Sequence, residues 1–341
     1  MISKNFITEE LDIEKDNVWD SFVVQTSQYS IFSSSFWLKM ISEMMGIPLK
    51  LLVCHKGKEL VAGLPLFVYK TLEGNTIKHP ILTQFSGVHI LKRETRYPYK
   101  KEMEGKKIFS SIIDYLEKNY DYVNLINHPA LIDIRPFQWR GWHCNVRYTS
   151  ELNLKKIDDI FKKIDNSVLN KIRKAEKLGI KIEQMNDTEM FYKLWRLSYK
   201  RKKIKVPLTK NIFFKWADRL LNKKLIKIYF AILKNNIAIA SRLELIDVDI
   251  AYDLMAGANP NFFNTGANQL LMTSIFRDLL ANGINRFDFV GADIPSIAYY
   301  KSSFGGTLIP HYQVSKAISL RAKSIRLLKD FYHFIKPTPL N

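Results

Sequence analysis

Two segments far apart in the chain share one hairpin pattern, and this internal repeat constrains the fold more than any other feature. Leu51–Gly63 has the pattern strand, tight turn, strand, with Lys-Gly-Lys as the turn between two apolar stretches. Tyr229–Ser241 has the same design at a constant offset, so that Lys56 falls on Lys234. Because hairpins are common, this match alone is weak evidence for a repeat.

The segments that follow the two hairpins also correspond. Each hairpin leads into an amphipathic helix, Ile108–Asn119 or Asn268–Asn282, and then into a short strand, Tyr122–Ile126 or Arg286–Val290. Gly283 suits the position just after a helix end. The pattern predicts an α/β (α+β) protein of two similar tandem domains, each with a mixed, mainly antiparallel sheet flanked by helices.

Three regions are expected along the chain. The first domain covers 1–150 and the second, with the functional site, covers 151–316. Residues 317–341 form a basic tail, whose helical pattern extends over Lys316–Lys336. Such a helix either packs on its own domain or lies on an anionic membrane.

Positive charge is concentrated in the second half of the chain. The whole sequence has 52 Lys and Arg against 33 Asp and Glu; residues 1–150 hold 19 and 16 of these, and the remainder hold 33 and 17. This asymmetry favours an anionic partner for the second domain. The alternative is a lysine-rich set of solvated helix faces.

Several classes of protein are excluded by composition. Cys54 and Cys144 are the only cysteines, so a disulfide scaffold or a cysteine-rich zinc module is ruled out. The seven histidines are scattered, and no metal site is expected. The start of the chain does not read as a signal peptide, and no apolar run approaches the ~20 residues of a bilayer span. We expect a cytoplasmic protein, with peripheral contact at the inner membrane face as an option.

Two motifs in the second half are similar to those of known acyltransferases. Asn264–Leu271 stands where the GNAT superfamily has its pyrophosphate loop, and a glycine at a helix start suits phosphate binding. Asn285–Ala292 followed by Tyr299–Gly306 resembles the closing signature of Fem-type proteins, which are double-GNAT transferases. Lys301 matches that pattern, and the basic segment Leu169–Gly179 resembles the helix that opens the family's second domain. The resemblance covers roughly residues 30–316.

The resemblance implies the donor and narrows the acceptor. Acyl-CoA is the expected donor, with aminoacyl-tRNA as the alternative. Peptidoglycan-adding members have an arginine that the stretch Lys205–Phe213 lacks, so the CelD-like acetyltransferase branch fits better. We therefore expect N- or O-acyl transfer to an amine or hydroxyl of a small-molecule, lipid-linked or nucleotide-linked precursor of the cell envelope or of a surface glycan. A catalytically inactive RNA- or membrane-binding protein on the same scaffold is the alternative from another class. No DNA partner is expected.

Direct transfer to the acceptor needs positioning and charge stabilisation rather than a protein nucleophile. The resemblance implies that Lys301 holds an acceptor phosphate or the developing oxyanion; the alternative is an exposed lysine at a helix end. Asp288 ends a buried strand and is expected to orient the site rather than act as the base. Tyr252 and Asp253 lie on the central strand, where one of them should face the donor.

The remaining candidates concern binding of phosphate and substrate. Arg242 follows the second hairpin and can face the cleft, and Arg173 can grip phosphate from the basic helix. The predicted site is completed by the helix start and the turn after Lys301: Gly266, Ala267, Asn268 and Phe304. Each has an ordinary structural alternative, namely a solvated helix face, a plain helix start or a turn that shapes the site.

Overall fold

The structure is a computed structural model that describes residues 6–12, 14, 16–94, 96–201 and 203–335. The chain divides into two compact units. The first contains the residues up to Arg147 and the segment that begins at Pro310, and the second is Tyr148–Ile309.

Strands and helices alternate along the chain. The strands are β1 (Phe6–Leu11), β2 (Leu49–Lys56), β3 (Glu59–Thr71), β4 (Gly74–Ile77), β5 (His89–Ile90), β6 (Tyr122–Ile126), β7 (His143–Asn153), β8 (Lys181–Gln184), β9 (Ile226–Ile232), β10 (Ala238–Asp247), β11 (Ile250–Ala258), β12 (Arg286–Asp288) and β13 (Thr307–Ala317). The α-helices are α1 (Asp16–Val23), α2 (Ser35–Met45), α3 (Pro98–Asn119), α4 (Arg135–Trp139), α5 (Ile157–Lys163), α6 (Asn166–Lys177), α7 (Thr188–Arg201), α8 (Lys210–Asn222), α9 (Ala267–Ala281), α10 (Pro295–Ser302) and α11 (Leu320–Ile335).

The two units have the same strand topology, which confirms the predicted fold class. The first unit pairs its strands in the order β1-β2-β3-β4-β6-β13, with β5 beside β3, and the second in the order β8-β9-β10-β11-β12-β7. Neighbours are antiparallel except for the fourth and fifth strands of each order, β4 with β6 and β11 with β12, which are parallel. Helix α3 connects the first parallel pair along the chain and α9 connects the second.

The two hairpins that suggested the repeat are both present. Gly57 adopts a φ of 66° in the turn between β2 and β3, and Asn236 adopts a φ of 60° in the turn between β9 and β10. The second turn is one residue longer, because Leu233 donates its N–H to the Ile237 carbonyl at 2.9 Å. Glycine and asparagine are the residues that adopt this left-handed conformation at least cost.

The strand that completes the first sheet differs from the expected domain boundaries. Residues 310–316 were expected in the second domain, but Gln313–Ala317 pair antiparallel with Tyr122–Ile126 of β6. Lys316, predicted to begin the C-terminal helix, is therefore a strand residue, and it donates to Glu117 at 2.9 Å. The helix begins at Leu320, because the open edge of β6 takes the preceding residues as its last strand. Lys336 lies outside the described residues.

Each sheet packs one face on the helix that connects its parallel pair. In the first unit, Leu64 and Leu66 of β3 share a core with Ile112 and Leu116 of α3. In the second unit, Phe276 of α9 is in a core with residues of β9, β10 and β12. Helix α9 ends at Ala281 and Gly283 follows with a φ of 82°, as predicted. None of the described helices combines the length and apolarity needed to cross a membrane.

Candidate active site in the second unit

The parallel strands β11 and β12 diverge after a short shared stretch. Their pairing runs from Ile250 opposite Arg286 to Tyr252 opposite Asp288. β12 ends there, whereas β11 continues to Ala258. A bulge follows at once on β11, because the register with β10 shifts between Leu243 and Glu244. Bulges of this kind redirect side chains and are frequent beside active sites. The point of divergence, at Tyr252 and Asp288, marks the candidate site.

Hydrogen bonds to Asp288 hold the turn that leads away from β11. Its Oδ1 accepts from the Thr149 hydroxyl at 2.5 Å and from the Val290 N–H at 2.7 Å. Val290 has a φ of 54° and Gly291 a φ of 77°. A β-branched residue in the left-handed region is strained, and such strain is often found at functional sites. Asp288 therefore fixes the conformation of the turn, and its role in the reaction stays a prediction.

Lys301 lies on α10 and binds the same turn from the other side. Its ammonium donates to the carbonyl oxygens of Phe289, Val290 and Gly291 at 2.5, 2.9 and 2.6 Å. An ammonium has three N–H groups, so all of its donors are used within the chain. Burial lowers the pKa of Lys301. Contact with a phosphate or an oxyanion would require one of these three bonds to be exchanged for the ligand.

A buried group of charged side chains lies on β10 and β11 next to the divergence. Arg242 donates to Asp253 at 2.5 Å and to the Tyr300 hydroxyl at 3.2 Å. The Arg242 and Asp253 side chains are only 7% and 6% exposed. Burial by itself would lower the pKa of Arg242, but the Asp253 carboxylate raises it above its ordinary value. Arg242 is therefore a permanent cation inside the second unit.

Glu244 belongs to the same group, and the sequence analysis missed it. It is register partner to Asp253 and is 0% exposed. Among the described residues, neither of its carboxyl oxygens has a hydrogen-bond partner. Burial raises the pKa of the Glu244 carboxyl well above its ordinary value, and the charge of Asp253 adds to the rise. The available signal was a second charged residue two positions after Arg242 in a mainly apolar strand.

The predicted residues of these strands lie on two opposite faces of the sheet. Tyr252 and Asp288 are register partners and share one face. Asp253, the next residue, points to the opposite face together with Arg242, which is on the α9 side. Burial raises the pKa of the Tyr252 phenol well above its ordinary value, with the charge of Asp288 adding to the effect. The Tyr252 phenol therefore remains protonated near neutral pH.

The start of α9 lies against the basic helix α6. Gly266 has a φ of 83°, and a Cβ there would come within 1.9 Å of the Lys171 carbonyl of α6. Ala267 follows as the first residue of α9 and donates its N–H to the Thr265 hydroxyl at 3.3 Å. The carbonyl of Asn268 accepts from the Tyr300 hydroxyl at 3.4 Å. Packing on α6 is thus by itself a sufficient reason for glycine at position 266.

Two further predicted residues lie outside the polar group. Arg173 is exposed on α6 and donates to Asn170 at 3.1 Å. Phe304 is fully buried, with ring-centroid distances of 5.1 Å to Tyr300 and 6.1 Å to Phe276. It therefore supports Tyr300 from the core.

Comparisons with known proteins bear on the family of the second unit and on the fold. The sequence family described as "Acetyltransferase (GNAT) domain" matches residues 162–302, which include the predicted site residues from Arg173 to Lys301 but not Phe304. No curated protein sequence matches the chain significantly. The crystal structure of FemX superposes with a TM-score of 0.66 at 11% identity, covering 94% of this chain and 99% of that one.

Two other solved structures are similar over nearly their full lengths. A tandem GNAT protein from the clavulanic acid biosynthesis pathway gives a TM-score of 0.54 at 9% identity, with 92% of this chain and 99% of that one covered. L-PGS from Bacillus licheniformis gives 0.53 at 13% identity, with 94% and 97% covered. These likenesses concern the fold.

The family match over residues 162–302 identifies a GNAT acetyltransferase domain in the second unit and supports a transferase role for the protein. Its two units, with equal topology, give it the double-GNAT architecture of the Fem-type proteins that the sequence motifs resemble.

Proposed function

We propose that the second unit transfers an acyl group from acyl-CoA to an amine or hydroxyl of a cell-envelope or surface-glycan precursor. The observation that carries this proposal is the divergence of β11 and β12 at Tyr252 and Asp288. Beyond Tyr252, β11 is not paired with β12, and such a strand edge offers backbone groups to an extended ligand. The amide groups of a pantetheine arm suit this edge.

The residues around the divergence support distinct tasks in acyl transfer. The nitrogen or oxygen of the acceptor attacks the thioester carbonyl, and the carbon–sulfur bond breaks as the tetrahedral intermediate collapses. The acceptor releases its proton to water, and the leaving thiolate takes a proton from a side chain that water then reprotonates. Tyr252, kept neutral by burial, is the proposed donor of that proton. The diverging ends of β11 and β12 leave an opening between them. Asp288 and Lys301 hold the turn that forms one side of this opening, so that substrates meet in a fixed geometry. The Asn268 N–H in the first turn of α9 is the proposed contact for the donor's phosphates, joined by the Ala267 N–H if it exchanges its bond to the Thr265 hydroxyl for the ligand.

The opening can be tested by filling it. Ala256 is exposed on β11 beyond the divergence, opposite Arg242 in register. We expect Ala256→Trp to weaken acetyl-CoA binding at least tenfold in a calorimetric titration, without a large change in melting temperature. Val248→Trp, in the exposed turn between β10 and β11, is the matched control and should bind normally. Normal binding by Ala256→Trp would rule out this opening as the donor site.

Aminoacyl-tRNA is a second candidate donor, supported by the charge of the second half of the chain. Helix α6 displays Lys171, Arg173, Lys174 and Lys177 on its exposed surface, beside the start of α9. Parallel titrations with acetyl-CoA and with bulk tRNA separate the two donors. Binding of tRNA that weakens steeply with salt, with no acetyl-CoA binding, would favour the tRNA-dependent reaction.

A further inference from the structure

The first unit contains a cavity that the proposed reaction does not use. Its volume is about 550 Å³, within the range of roughly 300–1,000 Å³ that small-molecule sites occupy. It lies between the segment after β5, the first half of α3 and the segment before α4. Its floor is apolar and buried, formed by Val61, Ile108, Phe109 and Leu131. This floor suits a hydrocarbon chain rather than a polar metabolite.

Gly105 of α3 lines this cavity, and neither backbone conformation nor packing requires a glycine there. It lies inside a helix, where glycine costs about 0.5–1 kcal/mol relative to alanine. A Cβ at this position would meet no atom within 4 Å. The position therefore keeps space open inside the cavity at the expense of helix stability.

The charges around the cavity leave an excess of cations. Glu104 pairs with Arg93 at 3.0 Å, and Glu102 and Asp133 pair with Arg135 at 3.1 and 2.8 Å. Three lysines among the lining residues have no carboxylate partner within the described chain: Lys92, Lys100 and Lys101. Among the acidic residues that line the cavity, Glu94 alone lacks a cationic partner within the described part of the chain. The charges left unpaired by the protein therefore favour an anion at the rim.

Exposed apolar and aromatic side chains surround the same rim. Ile132 lines the cavity and is 78% exposed, and Tyr99 and Trp139 are exposed nearby on α3 and α4. Lys106 and Arg135 lie 5.7 and 5.5 Å from the centroid of the Trp139 ring. Aromatic side chains interleaved with lysine and arginine are typical of surfaces that lie in the interface of an anionic membrane.

We propose that this cavity binds the acyl chain of an acidic membrane lipid. The chain occupies the apolar floor, and the rim lysines Lys92, Lys100 and Lys101 hold the acidic headgroup. Tyr99, Ile132 and Trp139 contact the bilayer around the bound lipid. The site belongs to the first unit alone, so it does not rest on the reaction proposed for the second unit.

The cavity can be filled without disturbing the fold. Gly105→Leu places a side chain in the open space, and Ser110→Leu puts the same side chain on the exposed part of α3 outside the cavity. We expect Gly105→Leu to bind short-chain phosphatidylglycerol at least tenfold more weakly, with an equal or higher melting temperature. Ser110→Leu should bind as the unaltered protein does, and both variants should keep their acetyl-CoA affinity.

Three outcomes would overturn the proposal. The first is normal phosphatidylglycerol binding by Gly105→Leu, which excludes the cavity. The second is equal affinity for phosphatidylcholine of the same chain length, which excludes recognition of an acidic headgroup. The third is binding of palmitoyl-CoA but not of phosphatidylglycerol, which makes the cavity a site for a soluble acyl thioester.

The docking surface needs a separate measurement, namely flotation with vesicles rich in phosphatidylglycerol. We expect Ile132→Ser with Trp139→Ser to reduce the bound fraction severalfold. Leu72→Ser is the matched control, because Leu72 is 75% exposed in the same unit but does not line the cavity. Leu327 and Leu328 are exposed on α11, for which the sequence analysis left open either packing on its own domain or contact with a membrane. If Leu327→Ser with Leu328→Ser abolishes flotation and the rim variant does not, the rim is not the docking surface.

Discussion

The two units have different kinds of residue at corresponding positions of one strand, apolar in the first unit and charged in the second. At the offset that relates the two hairpins, Leu64 and Leu66 of β3 correspond to Arg242 and Glu244 of β10. Both pairs lie on the sheet face that packs on the connecting helix, α3 or α9. The leucines are fully buried in an apolar core, whereas the charged residues are buried beside Asp253.

This difference shows that the fold does not require the charges of the second unit. The same topology closes with leucines, and buried charges are costly unless they are paired and hydrogen-bonded. Glu244 lacks even a hydrogen-bond partner among the described residues. We therefore propose that the charged group serves the activity, and the first unit provides an internal reference for what the scaffold alone needs.

The largest expected effect comes from breaking the buried ion pair. Arg242→Leu leaves Asp253 buried without its cation and should lower the free energy of unfolding by about 3–5 kcal/mol. Urea denaturation measures the change. Arg286→Leu removes the guanidinium that bonds Glu151 at 2.9 Å, but this side chain is 43% exposed, so the loss should stay below about 1 kcal/mol. Equal losses of unfolding free energy in the two variants would contradict the expectation that the buried ion pair matters more than the exposed one.

Making the second unit resemble the first should then separate stability from activity. In the triple variant Arg242→Leu, Glu244→Leu, Asp253→Asn, the charges are removed together, and replacing a buried charged group by apolar residues is often neutral or stabilising. We expect the triple variant to regain most of the stability that Arg242→Leu loses. We expect acyl transfer to be lost in both variants. A triple variant as unstable as the single one would mean that the charges serve the fold.

Lys301 is expected to affect both stability and turnover. Lys301→Ala leaves three carbonyl groups without their donor and should cost about 1–3 kcal/mol of unfolding free energy. If the turn also aligns the substrates, kcat/KM should fall about a hundredfold, the usual effect of removing a catalytic donor.

A buried amide in the first unit serves as the control for Lys301. Asn127 lies directly after β6, just as the turn bound by Lys301 lies directly after β12. The Asn127 side chain accepts from the Val88 N–H at 3.1 Å and donates to the Tyr312 carbonyl at 3.2 Å. Asn127→Ala should lower stability but leave kcat/KM nearly unchanged. Near-normal kcat/KM in Lys301→Ala would remove it from the catalytic machinery.

A smaller effect is expected from the buried carboxyl of Glu244. Its pKa is raised in the folded state, so the folded protein binds more protons than the unfolded chain between the unfolded pKa, about 4.3, and the higher folded value. Stability should therefore fall as pH rises through this window. Glu244→Gln removes the titration and should flatten the dependence of unfolding free energy on pH. An unchanged slope would show that Glu244 is not protonated in the folded protein.

The smallest effect on stability is expected at the exposed surface of α6. Arg173→Glu with Lys174→Glu should weaken donor binding about tenfold at low salt, because like charges would then face the donor's phosphates. The unfolding free energy should change by no more than about 0.5 kcal/mol per substitution. Lys118→Glu, on the exposed part of α3, reverses a single charge in the first unit and should leave binding intact. Intact binding in the α6 variant would argue against a phosphate role.

The candidate site was predicted from the sequence only where a motif or a strand pattern marked it. Tyr252, Asp253 and Asp288 do lie at the point where the strands diverge, but which sheet face each occupies follows from the register. Lys301 was singled out by its motif, yet its three bonds depend on where α10 meets the turn. Glu244 belongs to no motif, and only its burial reveals it. The catalytic and binding roles themselves stay predictions.

Local patterns were enough to determine the repeat, because a turn or a helix end depends on a few neighbouring residues. Gly57, Asn236 and Gly283 each adopt the left-handed conformation that the turn or helix end requires. Tertiary structure alone decided which strand completes each sheet, since β13 pairs with β6 across nearly two hundred residues. It also decided why position 266 is glycine, because the carbonyl that excludes a side chain there comes from another helix. Long-range pairing and packing depend on surfaces that exist only once the chain has folded, and no local pattern encodes them.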